Sequence, residues 1–286
     1  MPGQLMRMAA RLPLSVLHAA GAALGWLMYL ASPRYRKHLC ENLAAAGFRD
    51  PATRRAAIAH AGRMIVELPA LWLRPQSEVA ALVREVRGWA FIDAARAEGS
   101  GIVFLTPHHG SFEASAQYTT ERVPMTILYR PPKIAWLEPW MRAGRARPLV
   151  TLATPDLGGV RALLEALKRH GTVGILPDQV PGEGEGEWAD FFGRPAYTMS
   201  LASRLAARRG TVCLLAFAER LPRGAGFCLS FRPLLPALPG ESGARRLNRA
   251  LDELIRECPG QYLWGYNRYK APPAVRSGTP GGQSPA

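Results

Sequence analysis

The residues best suited to chemistry follow a short apolar run near the middle of the chain. The run GIVFLT at residues 101–106 leads directly into PHHGSFE at 107–113, so His108, His109 and Glu113 stand close together. An imidazole with a pKa of about 6.5 can take a proton from a hydroxyl group near neutral pH. A carboxylate bonded to its other ring nitrogen fixes the tautomer and stabilises the imidazolium that forms. The segment therefore suggests general-base chemistry.

The spacing allows two pairings of a histidine with the carboxylate. His109 and Glu113 are four residues apart and would share one face of a helix. His108 and Glu113 are five apart, which on a helix turns them about 140° away from each other. They can meet only if the chain turns between them, and Gly110 permits such a turn. Spacing alone leaves both pairings open, together with a third reading in which both histidines lie on a surface loop and Glu113 is a first-turn helix charge.

Strand-like and helix-like patterns alternate from residue 101 onward. The predicted strands are 102–106, 125–129, 149–152, 173–176, 212–218 and 227–231. The predicted helices are 112–121, 157–170, 199–209 and 244–257, after 35–46 and 51–73 nearer the N-terminus. This alternation predicts an α/β fold with a mostly parallel central sheet flanked by helices. Ligands of such sheets bind at the carboxyl ends of the strands, where His108 is expected.

The N-terminal segment has the composition of a membrane anchor. Residues 12–30 carry no charge and are flanked on both sides by arginine and lysine. That length is about what a bilayer core requires, and basic flanks suit an anionic leaflet. We therefore expect a membrane-anchoring helix in residues 1–32, a single α/β domain in 33–270 and a disordered Pro/Gly/Ser-rich tail in 271–286. Whether the helix crosses the bilayer or lies in its interface stays open.

Composition limits the classes of partner. The 286 residues are 48% hydrophobic, enough for one large α/β domain, and 36 Lys and Arg against 22 Asp and Glu give a net charge of +14. Such a charge suits nucleic acid, anionic lipid headgroups or an acidic carrier protein. No nucleic-acid-binding signature stands out, and no G-x-S-x-G motif supports a serine hydrolase. The four scattered cysteines have no zinc-ligand spacing and are expected to be reduced.

Several motifs carry a resemblance to one family. PHHGSFE resembles the H-x4-E block of the lipid A biosynthesis lauroyl/myristoyl acyltransferase family, part of the wider H-x4-D/E glycerolipid acyltransferase group. Further matching blocks, in the family's order, are ENL at 41–43, LYRP at 128–131, GILPDQ at 174–179, FFGRPA at 191–196 and PGQYLW at 259–264. The likeness runs from about residue 10 to residue 270. The chain departs from the family pattern at His109, where an aromatic residue is common, and in the residues after Trp264.

The resemblance implies roles for five residues. His108 would be the general base and Glu113 its orienting partner. Arg130 follows a predicted strand and would bind phosphate or sugar oxygens with paired hydrogen bonds. Arg194 would hold an acceptor phosphate or support its own loop. Asp178 would bond the substrate or an active-site arginine, with a helix cap or turn as the structural alternative.

The implied function is transfer of a fatty acyl chain from acyl-acyl-carrier protein, or acyl-CoA, to a hydroxyl of a lipid A precursor. The expected partners are acyl carrier protein, an anionic glycolipid and the cytoplasmic face of the bacterial inner membrane, with no nucleic acid, no cofactor and no metal. One alternative is a same-family acyltransferase that acts on another glycolipid or a phospholipid. The other is a non-catalytic basic protein that binds a membrane surface or nucleic acid.

Overall fold

The structure is a computed structural model that describes residues 2–270 and 272; the predicted tail lies almost wholly outside the described residues. The helices are α1 (Pro2–Arg11), α2 (Leu14–Ala31), α3 (Pro33–Ala45), α4 (Pro51–Val66), α5 (Leu68–Leu73), α6 (Gln76–Ala80), α7 (Trp89–Ala97), α8 (Phe112–Thr120), α9 (Glu138–Arg145), α10 (Leu157–Lys168), α11 (Ser200–Ala206) and α12 (Gly243–Glu257). The strands are β1 (Val83–Arg87), β2 (Gly101–Leu105), β3 (Met125–Leu128), β4 (Val150–Ala153), β5 (Thr172–Ile175), β6 (Gly186–Phe191), β7 (Arg194–Met199), β8 (Thr211–Arg220) and β9 (Phe227–Pro233). Short 3-10 helices lie at Ala135–Leu137, Pro222–Gly224 and Pro259–Gln261.

Seven strands form one central sheet in the order β1-β9-β8-β2-β5-β3-β4, and β6 pairs with β7 in a separate hairpin. Neighbouring strands of the sheet are parallel except β8 and β9. The predicted fold class, a mostly parallel sheet flanked by helices, is confirmed. In the register of β2 with β5, Leu105 lies opposite Ile175, so both strands end at one edge. The residues that follow them therefore come together.

The central strands are apolar because both faces of the sheet are covered. All five residues of β2 are buried, as expected for a parallel strand between two helical layers. Successive side chains of a strand point to opposite faces. Ile102 and Phe104 accordingly pack in one core cluster, while Val103 and Leu105 pack in the other. Helices thus pack on both faces of β2, the strand that is followed by the two histidines.

The predicted elements match the observed ones wherever the pattern was apolar. Each of the six predicted strands is present with ends that agree within two residues. The prediction missed β1, whose sequence VREVR is charged because the strand lies at the sheet edge, and it missed both strands of the β6–β7 hairpin. The helix predicted at 51–73 is divided into α4 and α5. The break falls at Glu67, just before Pro69, whose ring removes a helical N–H donor.

Helix α2 is long and apolar enough to cross a bilayer core, yet it is packed closely against α4. A Cβ atom added to Gly25 would lie 2.0 Å from the carbonyl oxygen of Ile58, and one added to Gly62 would lie 1.9 Å from that of Gly21. Only glycine allows two helix backbones to approach this closely. Helix α2 is therefore docked on the domain.

The side of α1 and α2 turned away from the domain is apolar. The exposed large apolar residues of these two helices are Leu5, Met8, Val16, Trp26, Leu27 and Leu30. An exposed apolar strip on a helix, with arginine nearby, fits the boundary between lipid headgroups and acyl chains. The face is suited to a lipid surface while the opposite face stays on the protein.

The close packing of α2 on α4 predicts that a Gly→Ala substitution in α2 lowers stability, the opposite of its usual effect in a helix. Gly→Ala inside a helix ordinarily stabilises by about 0.5–1 kcal/mol. Gly25→Ala should instead destabilise by about 1–3 kcal/mol, because the added methyl has no space beside Ile58. Thermal unfolding and limited proteolysis between α2 and α3 would measure the effect. Ala23→Val, which adds bulk to the exposed side of the same helix, is the control; equal stability of Gly25→Ala and wild type would contradict the prediction.

Candidate active site

The loop after β2 turns sharply at Gly110. Its φ of +59° lies in the left-handed region, and a Cβ atom there would lie 2.1 Å from the carbonyl oxygen of Ala218. The backbone N–H of Ser111 donates to that same oxygen at 2.8 Å, and the N–H of Gly110 donates to the carbonyl of Gln261 at 3.0 Å. The carbonyl of His108 accepts from the N–H of Leu263 at 3.1 Å. The loop is thus held by the end of β8 and by the C-terminal segment.

His108 is bonded twice to one carboxylate. Its ring Nδ1 lies 2.9 Å from Oδ1 of Asp178, and its backbone N–H donates to Oδ2 at 2.9 Å. Asp178 follows β5, the parallel neighbour of β2. Burial raises the pKa of Asp178, but attraction to His108 and the hydrogen bonds from its ring and backbone outweigh burial, so the pKa lies below its usual value. Asp178 is therefore ionised at neutral pH, and Nδ1 of His108 carries a proton.

The second ring nitrogen of His108 is unprotonated. Its Nε2 lies 3.3 Å from the side-chain nitrogen of Gln179, which can only donate, so the His108 lone pair accepts this bond until a substrate hydroxyl replaces it. A proton on Nδ1 and a lone pair on Nε2 are the tautomer that general-base catalysis requires. The ring also lies against Phe112, with ring centroids 4.9 Å apart. These contacts fix its orientation.

His109 lies in the core. It is fully buried, its Nε2 donates to the carbonyl of Cys258 at 2.9 Å, and its ring stacks on Phe217 with centroids 4.0 Å apart. Burial lowers the pKa of His109 to about 4, so the ring is neutral at physiological pH. The pairing of His109 with Glu113 that spacing allowed is not formed.

Glu113 binds an arginine, which corrects the predicted contact with His108. It lies in the first turn of α8, is buried, and accepts from Nε of Arg145 at 2.9 Å and from a terminal nitrogen of the same side chain. No hydrogen bond joins His108 to Glu113 among the described residues. The turn at Gly110 exists, but it directs the His108 ring toward the end of β5, where Asp178 lies. The catalytic roles of His108 and Glu113 remain predictions.

An open cleft borders His108. Its lining includes Arg130, Lys133, Arg145, Gln179 and Lys270, and the described lining residues contain no carboxylate. Arg130 and both lysines are exposed, whereas Glu113 pairs with Arg145. The cleft therefore presents positive charge beside the unprotonated nitrogen of His108. Such a surface suits phosphate or carboxylate groups on a ligand.

A narrow apolar cavity lies between the sheet and α8. Its lining residues are mostly apolar and include Phe104, Phe112, Ala116, Met125, Ile127, Val150, Ile175 and Ala216. A side chain at residue 174 would collide with Met125, because a Cβ atom on Gly174 would lie 2.8 Å from the sulfur of Met125. Arg145 and Leu176 line both this cavity and the cleft. The cavity has a volume of about 40 Å³, enough for a few water molecules, so an aliphatic chain would enter it from the cleft only if the lining side chains moved apart.

Arg194 lies away from the cleft. It begins β7, and its guanidinium stacks over the ring of Tyr269 at 4.0 Å from the centroid. A cation over an aromatic face is stabilising. Among the two readings of Arg194, this contact matches support of the loop; its binding of an acceptor phosphate remains a prediction.

Sequence reasoning misses Arg145 and the contact of Asp178 with His108. Arg145 lies at the end of α9, a helix that the sequence pattern does not predict, and it contacts Glu113 across 32 residues of sequence. Asp178 bonds His108, and its binding of substrate remains a prediction. Both follow from the order of strands in the sheet, which no local pattern contains.

The chain matches known proteins over nearly its whole length. Residues 4–271 match the family described as bacterial lipid A biosynthesis acyltransferase. The lipid A biosynthesis lauroyltransferase of Escherichia coli (strain K12) is 26% identical over 278 residues, covering 93% of this chain and 89% of that protein. The lipid A biosynthesis palmitoleoyltransferase of the same strain is 25% identical over 251 residues, covering 87% of this chain and 78% of that protein.

The buried state of His109 predicts a pH effect on stability. The pKa of His109 in the folded chain, about 4, is below the ordinary histidine pKa of 6.5, so below pH 6.5 the unfolded chain takes up a proton that the folded chain excludes. The stability contributed by the neutral ring should be lost as pH falls from 6.5 to 4, by up to about 3 kcal/mol. Urea unfolding at several pH values should show a weaker acid dependence in His109→Phe, which keeps the stacked ring. An unchanged pH dependence would contradict the prediction.

Proposed function

The chain belongs to the bacterial lipid A biosynthesis acyltransferase family, and we propose that it transfers a fatty acyl chain from acyl-acyl-carrier protein to a hydroxyl of a lipid A precursor. The observation that carries this proposal is the arrangement around His108. Its Nδ1 is held by Asp178, and its ring borders a cationic cleft that shares a wall with an apolar cavity. A base and an anion-binding surface meet at one place, beside a small, mostly apolar cavity that would widen to take an acyl chain.

The reaction follows from this geometry. Nε2 of His108 accepts the proton of the acceptor hydroxyl as its oxygen attacks the thioester carbonyl. Asp178 stabilises the imidazolium that forms. The tetrahedral intermediate then collapses, its carbon–sulfur bond breaks, and the thiolate takes the proton from His108. The products are an ester and the free thiol of the carrier.

We assign Arg145 to the developing oxyanion. It lies at the boundary of the two spaces, where the carbonyl of a bound thioester would be placed. Glu113 accepts two hydrogen bonds from it and so fixes its orientation. A preorganised donor in a partly dry site stabilises charge as it forms, typically by a factor of 10²–10³ for one donor. In this proposal Glu113 contributes to catalysis by holding Arg145 in position.

The acceptor is assigned to the cationic cleft. Arg130 and Lys133 project from the segment after β3, and Lys270 approaches from the C-terminal side. A phosphorylated glycolipid supplies the negative charge that these side chains would bind. Its reacting hydroxyl could belong to a hydroxyacyl chain already present on the precursor.

Donor and location follow from charge and from the apolar helices. A net charge of +14 favours an acidic carrier protein as donor, with acyl-CoA as the alternative. The exposed apolar strip of α1 and α2 suits the cytoplasmic face of the bacterial inner membrane. Docking at that surface would bring the cleft to its lipid substrate.

A second candidate is an acyltransferase of the same family that acts on another glycolipid or on a phospholipid. The base and the apolar cavity would serve it equally, because acceptor choice depends on the shape of the cleft. Mass spectrometry of lipids from a deletion strain distinguishes the two, since it identifies both the acceptor and the missing acyl chain.

Substitutions at the two histidines test the base. With labelled acyl-carrier protein and precursor lipid, His108→Ala should lower kcat by roughly 10²–10⁴. Asp178→Asn should lower it by about 10² or more, because the ring loses the carboxylate that sets its tautomer. His109→Phe is the control and should retain most activity. Full activity of His108→Ala would remove the assignment, and loss only in the His109 variant would show that the wrong ring was chosen.

Substitution of Arg130 tests whether the cleft binds the phosphate of the acceptor lipid. Arg130→Ala should raise KM for the phosphorylated precursor about 10-fold or more while KM for the donor stays near its wild-type value, since one charge-assisted hydrogen bond contributes about 1.5–3 kcal/mol. A dephosphorylated precursor should be insensitive to the substitution. Arg204→Ala, which removes an exposed arginine of α11, is the matched control. Equal KM values for Arg130→Ala and wild type would contradict phosphate binding at this residue.

A further inference from the structure

A buried carboxylate lies beneath the loop that carries His108. Glu67, between α4 and α5, is 1% exposed, and each of its oxygens has two partners. Oε1 accepts from Oγ of Ser111 at 2.7 Å and from Arg220 at 2.7 Å. Oε2 accepts from Nε of Arg220 at 2.8 Å and faces Nε2 of His18 at 3.0 Å. The carboxylate is fully satisfied.

The charge of Glu67 determines the direction of these bonds. Burial raises the pKa of Glu67, but the charge of Arg220 and the hydrogen bonds from His18 and Arg220 outweigh this effect. The pKa of Glu67 is therefore lowered to about 2. An ionised carboxylate only accepts hydrogen bonds. Nε2 of His18 therefore carries a proton and donates it to Oε2.

The partners of Glu67 come from three separate parts of the chain. His18 lies on the buried side of α2, Arg220 ends β8, and Ser111 follows His108 by three residues. The carboxylate therefore connects the helix with the exposed apolar strip to the catalytic loop. The acyl-transfer mechanism above does not use Glu67.

The rest of the loop depends on the same cluster. The side chain of Gln261 accepts from the backbone N–H of Arg220 at 2.8 Å and donates to its carbonyl at 3.1 Å. The backbone carbonyl of Gln261 in turn accepts from Gly110. A movement of Arg220 or Glu67 would therefore be transmitted to both Gly110 and Ser111.

Resting on the proposed function, we propose that Glu67 is a positioning residue for acyl transfer, and that it makes the placement of the His108 loop depend on the docking of α2. Loss of either the Ser111 or the His18 bond leaves one oxygen of the carboxylate with Arg220 as its single partner among those described, so the pair of Glu67 and Arg220 can shift toward the bond that remains. The loop then no longer holds Nε2 of His108 at its place in the cleft. The lipid-facing helix is thus part of the support of the active site.

Four variants test the proposal. Ser111→Ala and His18→Leu should each lower kcat by about 10-fold, with KM for the acyl donor near its wild-type value, since a misplacement of about 1 Å can cost as much as 10²-fold in rate. Ser111→Thr and His18→Gln, which keep a donor, should restore most of the rate. Ser203→Ala on α11 and His38→Leu on α3 are matched controls, because neither residue contacts Glu67, and both should retain wild-type kcat.

The double variant identifies Glu67 as the link. If one carboxylate joins the two sites, the combined Ser111→Ala and His18→Leu substitutions should lower kcat by much less than the product of their separate effects. Wild-type kcat in folded single variants, or strictly multiplicative losses, would overturn the proposal. Thermal unfolding is measured on each variant, and if His18→Leu does not fold, the Ser111 pair decides. A wild-type protein without acyl transfer would instead contradict the proposed function.

Discussion

The carboxylate of Asp178 holds the ring and the backbone of His108 at the same time, and the remaining features of the site depend on this arrangement. One oxygen fixes the ring tautomer and the other fixes the start of the loop. The two residues are 70 positions apart and meet because β2 and β5 are parallel neighbours that end at one edge. The sheet therefore supplies the precision of the site, and the loop supplies the direction in which the base points.

Two buried ion pairs hold the surroundings of His108. Glu113 pairs with Arg145 beside the cleft, and Glu67 pairs with Arg220 beneath the loop. Burying such charges is costly, and removing one partner leaves the other uncompensated, commonly at 3–5 kcal/mol. Pairs of this kind contribute little net stability compared with apolar residues of equal size. Their value here is that each has a single well-satisfied geometry, which fixes the groups bonded to it.

The cationic cleft and the apolar cavity differ in chemical character, and this difference sets how a ligand would be oriented. The cleft is open and cationic, the cavity is narrow and apolar, and Arg145 and Leu176 line both. An amphiphilic substrate would place its polar head in the cleft and its reacting carbonyl at the shared wall, and its chain would enter the cavity, about 40 Å³ in volume, only as the lining side chains move apart. The docked helix α2, apolar on its exposed side, lies against the same domain through its glycine contacts with α4.

The sequence by itself determined six of the seven strands of the central sheet, because those six are covered by helices and read as apolar runs, whereas the charged edge strand β1 does not. It also determined the position of the histidine loop, since Gly110 follows directly, and the family resemblance, which the match to residues 4–271 confirms. Only the tertiary structure decided which carboxylate His108 binds, that His109 is a core residue, and that Glu113 serves Arg145. Those outcomes depend on strand order and on a helix, α9, with no apolar signature of its own. A spacing of four or five residues describes neighbours along the chain, whereas the partners of His108 and Glu113 come from 70 and 32 residues away.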